Sequence, residues 1–360
     1  MSRFEDLKAE LESNPRVWLV TGAAGFIGSH LVEALLRLNQ RVIGVDNFIT
    51  GSAHNLEDVC EAVGRVAAAN FQFIRGDIQS LDLCMTACRG VDYVLHQAAL
   101  GSVPRSLDDP IKSHRVNVDG HVNMLVAAKD AGVQRFVYAS SSSVYGDHPD
   151  LPKVEDKIGQ PLSPYAMTKL ACEQYSNVFA RCYGLPVVGM RYFNVFGARQ
   201  NPAGPYAAVI PRWIGNLLRG EECTINGDGL TSRDFCYVEN VIQANLLAAT
   251  AEKEAVTGKV FNVACGDRTT LNELFEILRR ELSAARPEIA SAEAKYLPFR
   301  KGDVAHSLAD ISRARELLGY EPTHTAAQGL HQTAGWYLRQ AQQGKDAALR
   351  QLNQTMRIAR

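Results

Sequence analysis

The chain is expected to fold as an α/β protein: a doubly wound parallel sheet with a smaller α/β substrate-binding domain. Three observations predict this. Short, β-rich apolar runs alternate with longer helical patterns from residue 16 onward. The runs are continuously apolar, as in parallel strands covered by helices on both faces. A glycine-rich turn joins the first run to the first helical pattern, and repeated βα units of this length build a doubly wound sheet.

The runs are RVWLVT (16–21), RVIGVD (41–46), FQFIRG (71–76), DYVLHQ (92–97), RFVYAS (135–140) and PVVGMRY (186–192). Between them lie helical candidates such as FIGSHLVEALLRL (26–38) and HVNMLVAAKDAG (121–132). After residue 192 the regularity loosens. Glycine and proline cluster over 197–211, followed by the helix candidate PRWIGNLLRG, the run VFNVA (260–264), the amphipathic TLNELFEILRREL (270–282), and helices near 311–318 and 325–343. The expected division is a mainly dinucleotide-binding domain over 1–192, with 1–15 as an N-terminal extension. A smaller domain over 193–343 interleaves with the last elements of the sheet, and a polar tail over 344–360 should fray.

At 360 residues the chain can bury a large core and exceeds the usual single domain. With 46% hydrophobic and 21% charged residues and a formal net charge of −1, it lacks the basic excess that a nucleic-acid or membrane-surface partner favours. The eight cysteines are scattered. Cys84 and Cys88 would share a helical face, but no Cys-x-x-Cys pair or histidine-rich partner completes a metal site. They read as buried free thiols of a reducing compartment, with no metal. The charged N-terminus is no signal peptide, and no apolar run approaches the ~18 residues of a membrane span, so a cytoplasmic protein is expected.

The first strand runs directly into Gly22-Ala-Ala-Gly25-Phe26-Ile27-Gly28, which opens a helix. Glycines here permit a tight turn and a close approach of backbone to pyrophosphate, while the helix N-terminus offers free N–H groups to the anion. This is the Rossmann-type arrangement. Asp46, ending the second strand with Asn47 beside it, can accept bonds from the adenosine ribose hydroxyls and repel a 2′-phosphate, which selects NAD. A plain strand-end turn at Asp46-Asn47 is the competing reading. The fourth strand ends His96-Gln97-Ala98-Ala99, where small residues suit close approach to a cofactor; His96 reads as structural.

Ser163-Pro164-Tyr165 begins a helix, with serine as N-cap and proline in the first turn. Lys169 follows Tyr165 by four residues, so the two share a face. A free phenol titrates near pH 10, too high for a base at neutral pH, and an adjacent ammonium together with a positive nicotinamide favours the phenolate. Upstream, the fifth strand ends in Ser140-Ser141-Ser142-Ser143, and its tip should deliver a hydroxyl to the oxygen being oxidised. The alternative for a lone Tyr-x-x-x-Lys is a surface helix pair; the serine-rich strand end and the glycine turn argue against it.

These features resemble the extended short-chain dehydrogenase/reductases, whose glycine spacing is G-x-x-G-x-x-G. Over about residues 16–340 the chain is most similar to the UDP-sugar 4-epimerases, in particular the UDP-N-acetylglucosamine 4-epimerases of bacterial surface-polysaccharide biosynthesis. The stretches that carry the likeness include LHQAALGSVPRS, SPYAMTK, RYFNVFG, AAVIPRW, INGDG, TSRDFCYV and GDVAHSLAD. The resemblance implies Ser141 as the catalytic serine, Tyr165 as base and Lys169 as its partner, with Ser142 and Ser143 available to position substrate. It implies that Asp77, with Ile78, meets the adenine. It places Asn194 and Arg233 on the UDP pyrophosphate, Arg300 closing over it and Asp303 on the uridine ribose. Gly101, Ser102, Ala208 and Ser307 would line the hexose pocket.

The resemblance further implies a homodimer built from helices around 105–131 and 165–183. A sugar-nucleotide 4,6-dehydratase usually carries Thr-Asp-Glu where this chain has Ser141-Ser142-Ser143, and without that acidic pair elimination lacks its acid and base. A UDP-hexuronate or UDP-N-acetylhexosaminuronate 4-epimerase remains an alternative; relatives acting on UDP-glucuronate often replace Asn194 with threonine. An NAD-sensing binding protein is the non-enzymatic alternative, although such proteins typically lack the tyrosine or lysine present here.

Overall fold

The computed structural model describes residues 2–203, 206–299 and 305–358, and of the last helix beyond 343 only the backbone. The chain forms two compact units. The first comprises residues 1–195, 234–267 and 307–323; the second comprises 196–233, 268–306 and 324–360.

The first unit is built on a seven-stranded parallel sheet. Its strands are β1 (Val17–Thr21), β2 (Arg41–Asp46), β3 (Phe71–Arg75), β4 (Tyr93–His96), β5 (Arg135–Ser141), β6 (Val187–Tyr192) and β7 (Lys259–Val263). The spatial order is β7-β6-β5-β4-β1-β2-β3, so the winding reverses between β1 and β4. All seven apolar runs in this unit are strands, within a residue or two of the expected bounds. The register sets Val20 opposite Leu95 and Gly44, and Ser141 opposite Tyr192. Trp18, Leu19, Val20, Val94, Phe136, Val137, Val188 and Phe261 are fully buried, as strands covered on both faces require.

Five helices of this unit matter below: α1 (Arg3–Ser13), α2 (Phe26–Arg37), α3 (Gly120–Ala131), α4 (Pro164–Tyr183) and α5 (Val238–Thr250). α4 is capped as its sequence demands, with Ser163 Oγ accepting from Ala166 N at 3.1 Å and Gly184 in the left-handed region at the far end. α1 is more than an extension. Its Leu7 and Leu11 are buried in the main core, and buried Gln40 donates to Leu11 O at 2.7 Å. Burying a leucine contributes about 1.5–3 kcal/mol, so this helix belongs to the folded unit.

The second unit packs helices Val209–Arg219, Leu271–Ser283 and Ala326–Ile358 together, with Trp213 edge-on to Phe275 at 5.9 Å. A capping box at Thr270 and Glu273 starts the second of these helices. The tail expected to fray is instead helical in its backbone, as the last helix continues unbroken to Ile358. Its sequence from 344 onward is rich in alanine, glutamine, leucine and arginine, which propagate a helix once it is nucleated. No helix among the described residues is long and apolar enough to cross a membrane.

Candidate active site

A cavity of about 360 Å³ opens at the C-terminal ends of the strands, where the winding reverses. It is lined by Gly22, Gly25, Phe26, Ile27, Gly28, Asp46, Asn47, Asp77, Ile78, Gln97, Ala98, Ala99, Gly101, Ser141, Tyr165 and Lys169. The chain thus brings together residues spread over more than 140 positions because each sits at, or just past, the end of a strand or at the start of α4.

The glycine turn is tight enough to exclude side chains. Gly22 has φ +70°, and a Cβ there would lie 2.9 Å from Ala98 N; a Cβ on Gly28 would lie 2.0 Å from Gly22 O. The resulting bare backbone at the start of α2 is what a pyrophosphate needs. Asp46 is held by the same turn: its Oδ2 accepts from Ala24 N at 3.0 Å and its Oδ1 from Phe48 N at 2.7 Å. Burial raises its pKa, against the N–H bonds from Phe48, Ala24 and Asn47. A carboxylate has about four acceptor positions, so capacity remains for a ribose hydroxyl. Asn47 Nδ2 donates to Asp77 Oδ2 at 2.9 Å, and Gln79 N to Asp77 Oδ1 at 2.9 Å, which orients the second carboxylate of the crevice. This backbone and donor set fits a dinucleotide such as NAD.

Farther along the crevice, Lys169 Nζ lies 5.9 Å from the Tyr165 ring centroid and donates to Ala139 O at 2.9 Å. Lys169 is buried and Tyr165 half-buried. Ser141 Oγ accepts from Ser143 N at 3.1 Å, which fixes the serine-rich corner after β5. His96 is buried with Nδ1 2.7 Å from Thr21 Oγ1, and burial, with His121 and Lys169 adding their charges, holds its pKa well below the usual histidine value. It is a neutral packing group, as read from the sequence.

Among the described residues, the other predicted ones do not line this cavity. Ser102 caps a short helix through Arg105 N, at a φ of +103°. Ser142 and Ser143 form a 3₁₀ turn. Asn194, with φ +35°, donates from Nδ2 to Asp234 O at 3.0 Å. Asn194 and Ser307 belong to the first unit, whereas Ala208 and Arg233 belong to the second, where Arg233 Nη1 donates to Ser232 O and Ala305 O. Arg300 and Asp303 lie outside the described residues.

Several residues at the site escaped the sequence reading. Ile49, Thr50, Val116, Tyr192 and Val195 line the cavity. Buried Asn117, in a π-helical turn, accepts from Leu100 N at 2.7 Å and donates to Leu100 O and Thr168 Oγ1, tying the strand-end segment to α4. Asp234 has no solvent exposure and accepts from Cys265 N, Gly266 N and Ala309 N. Asn117 stands between two valines and Asp234 lies within the stretch TSRDFCYV, but neither pattern shows the partners, which are remote in the chain.

Comparison with known proteins agrees with this geometry. Residues 18–264 match the model of the NAD dependent epimerase/dehydratase family. The chain is 38% identical over 326 residues to the UDP-glucose 4-epimerase of Mycolicibacterium smegmatis, covering 90% of this chain and 99% of that protein. Among solved structures it is similar to a UDP-N-acetylglucosamine 4-epimerase from Methanobrevibacter ruminantium in complex with UDP-N-acetylmuramic acid (TM-score 0.82, 38% identity, 91% of this chain and 99% of that one). It is also similar to a variant UDP-glucuronic acid 4-epimerase from Bacillus cereus bound to a fluorinated UDP-glucuronic acid and NAD (TM-score 0.79, 32% identity, 90% and 99%). The chain belongs to the NAD dependent epimerase/dehydratase family, as an NAD-dependent 4-epimerase of UDP-sugars.

Proposed function

We propose that the chain interconverts UDP-GlcNAc and UDP-GalNAc, and acts more slowly on UDP-Glc and UDP-Gal. The observation that carries the choice of sugar is Ser307. In the family pattern this position lies beside the hexose 2-substituent, and a tyrosine there fills the space that an acetamido group needs. Serine leaves that volume open and offers a hydroxyl to the amide. The likeness to the M. ruminantium enzyme supports the same reading. The strongest rival is a UDP-hexuronate or UDP-N-acetylhexosaminuronate, given the likeness to UDP-glucuronate epimerases; Asn194, in place of the threonine common among those, argues against it.

In this reading Tyr165 takes the proton of the sugar 4-hydroxyl, with the Lys169 ammonium favouring the phenolate and Ser141 hydrogen-bonding O4. NAD, held by the glycine turn, Asp46 and Lys169, supplies the acceptor and later the donor of the C4 hydride. The 4-keto sugar turns over within the site, and Tyr165 returns the proton to O4 of the epimer. Asn194, Arg233 and Arg300 hold the pyrophosphate, for which arginine's planar fork is suited. Asp303 takes the uridine ribose, and Gly101, Ser102, Ala208, Ser142 and Ser143 border the hexose. The setting is the cytoplasm and the service of polysaccharide biosynthesis. A homodimer completes the proposal, since Leu107, Ile111, Met167, Tyr175 and Val178 stand exposed on the segments assigned to the subunit contact.

The experiment is direct. The protein is incubated separately with UDP-GlcNAc, UDP-Glc, UDP-glucuronate and UDP-N-acetylglucosaminuronate, and the products are resolved by NMR. Fastest conversion of UDP-GlcNAc is expected; preference for either uronate overturns the choice of substrate.

A further inference from the structure

The reaction needs Ser141 and Tyr165 at a fixed separation, and they come from different elements, the end of β5 and the start of α4. Tyr165, Lys169 and Glu173 follow one another by one helical turn each and share a face of α4. Lys169 grips β5 at Ala139 O. One turn farther, Glu173 Oε1 accepts from Ser140 Oγ at 2.5 Å. The same carboxylate holds the Arg191 fork, with Nε to Oε1 at 2.9 Å and Nη2 to Oε2 at 2.8 Å. Ser140 and Arg191 are register partners on β5 and β6. Ser140, Glu173 and Arg191 are 2%, 6% and 3% exposed.

Arg191 is itself fixed on three sides: by Glu173, by Glu155 O at 2.8 Å, and by the Tyr145 ring 4.8 Å away. Burial works against its charge, but the hydrogen bonds and charge of Glu173 outweigh this and keep the guanidinium ionised. A buried ion pair of this kind adds little net stability compared with apolar packing, so its consequence lies in what it orients. Here it gives Glu173 one fixed rotamer, and Glu173 in turn holds the residue immediately before Ser141.

We infer that Ser140 and Glu173 form a positioning couple, whose hydrogen bond sets the Ser141 hydroxyl against the Tyr165 phenol and so governs proton removal from the sugar 4-hydroxyl. Glu173 is not among the residues that line the cavity, and Ser140, which borders it, has its hydroxyl engaged by Glu173. The inference rests on the roles given above to Ser141, Tyr165 and Lys169.

Its test uses the full chain and steady-state epimerisation kinetics. Ser140→Ala deletes one hydroxyl and leaves the Glu173–Arg191 fork in place. Its kcat is expected to fall by roughly ten- to a hundred-fold, the scale of a small misplacement of reacting groups, with substrate KM within about two-fold of the parent. Retained NAD and Tm should be unchanged, and Ser140→Thr, which keeps the hydroxyl, should recover most of the lost kcat. Glu173→Gln should lower kcat likewise, and combining it with Ser140→Ala should add little, because both act through one bond. A Ser140→Ala enzyme with parental kcat, a parallel loss of Tm and kcat, or no rescue by threonine overturns the inference, whether or not Glu173→Gln folds. Tyr165→Phe, assayed alongside, separates the two ideas: if it stays active the catalytic assignment itself fails, whereas if it is inactive and Ser140→Ala is not, only the positioning couple fails.

Discussion

The cofactor crevice and the residues assigned to the nucleotide sugar are built on different plans. The crevice collects Gly22, Asp46, Asp77, Gln97 and Ser141 from the ends of successive strands of one parallel sheet, so the winding of the chain alone makes them converge. The residues assigned to the sugar are scattered from Gly101 to Ser307, and the described ones fall in both units. Their assignment follows motif matching, not topology. On the proposed assignment the crevice follows a general rule of the fold and the sugar site follows particular side chains, an arrangement that lets a family keep its cofactor and change its substrate.

The sharpest way to break this contrast is Tyr165→Phe, which leaves the glycine turn and Asp46 intact. A positioned proton transfer is worth about 10²–10⁴, so kcat is expected to fall by that factor while NAD still co-purifies. Near-normal turnover would remove the base from the crevice. Ser307→Tyr addresses the other region. It should lower kcat/KM for UDP-GlcNAc by roughly ten- to a few hundred-fold and barely change UDP-Glc turnover, the pattern of a pocket-size mismatch. Equal losses on both sugars would mean that Ser307 does not gate the 2-substituent.

The smallest effect probes the layer beneath the crevice. Burial, with the Lys169 charge second, pushes His121 down to about 3. The folded value lies below the unfolded one, so the unfolded chain takes up the proton first. The stability this provides is present above pH ~6.5 and is lost progressively as pH falls toward 3. At about pH 5.5 His121 alone should cost about 1.4 kcal/mol, roughly a tenfold shift toward unfolding, with His96 acting in the same direction. Asp234, raised to about 6 by burial despite three backbone N–H bonds, opposes this as pH falls through about 6. Denaturant midpoints of parent and His121→Gln, compared between neutral and mildly acidic pH, isolate the histidine. Parallel slopes would show that His121 titrates alike in both states.

The strands of the sheet and the convergence of Gly22–Gly28, Asp46 and Tyr165 with Lys169 were legible because each depends on local pattern. Apolar runs, glycine spacing and a four-residue helical repeat all act over a few residues. Less legible were Asn117, Asp234 and the couple of Ser140 with Glu173. Each is an ordinary polar residue in sequence, and its importance lies in a partner more than thirty positions away. The helical tail to Ile358 was missed because its polar composition was read as fraying rather than as continuation of a helix already nucleated.

The sequence by itself determined the order of strands and helices, the glycine turn that admits a dinucleotide, and the tyrosine–lysine face of α4, since local sterics and periodicity dictate all three. The tertiary structure alone decided that Leu7 and Leu11 of the first helix enter the core, that Gln40 bonds Leu11 O, and that Arg191, Glu173 and Ser140 meet next to Ser141. These are contacts between segments far apart in the chain, and only burial, which penalises every unpaired polar group, selects the partner that each one finds.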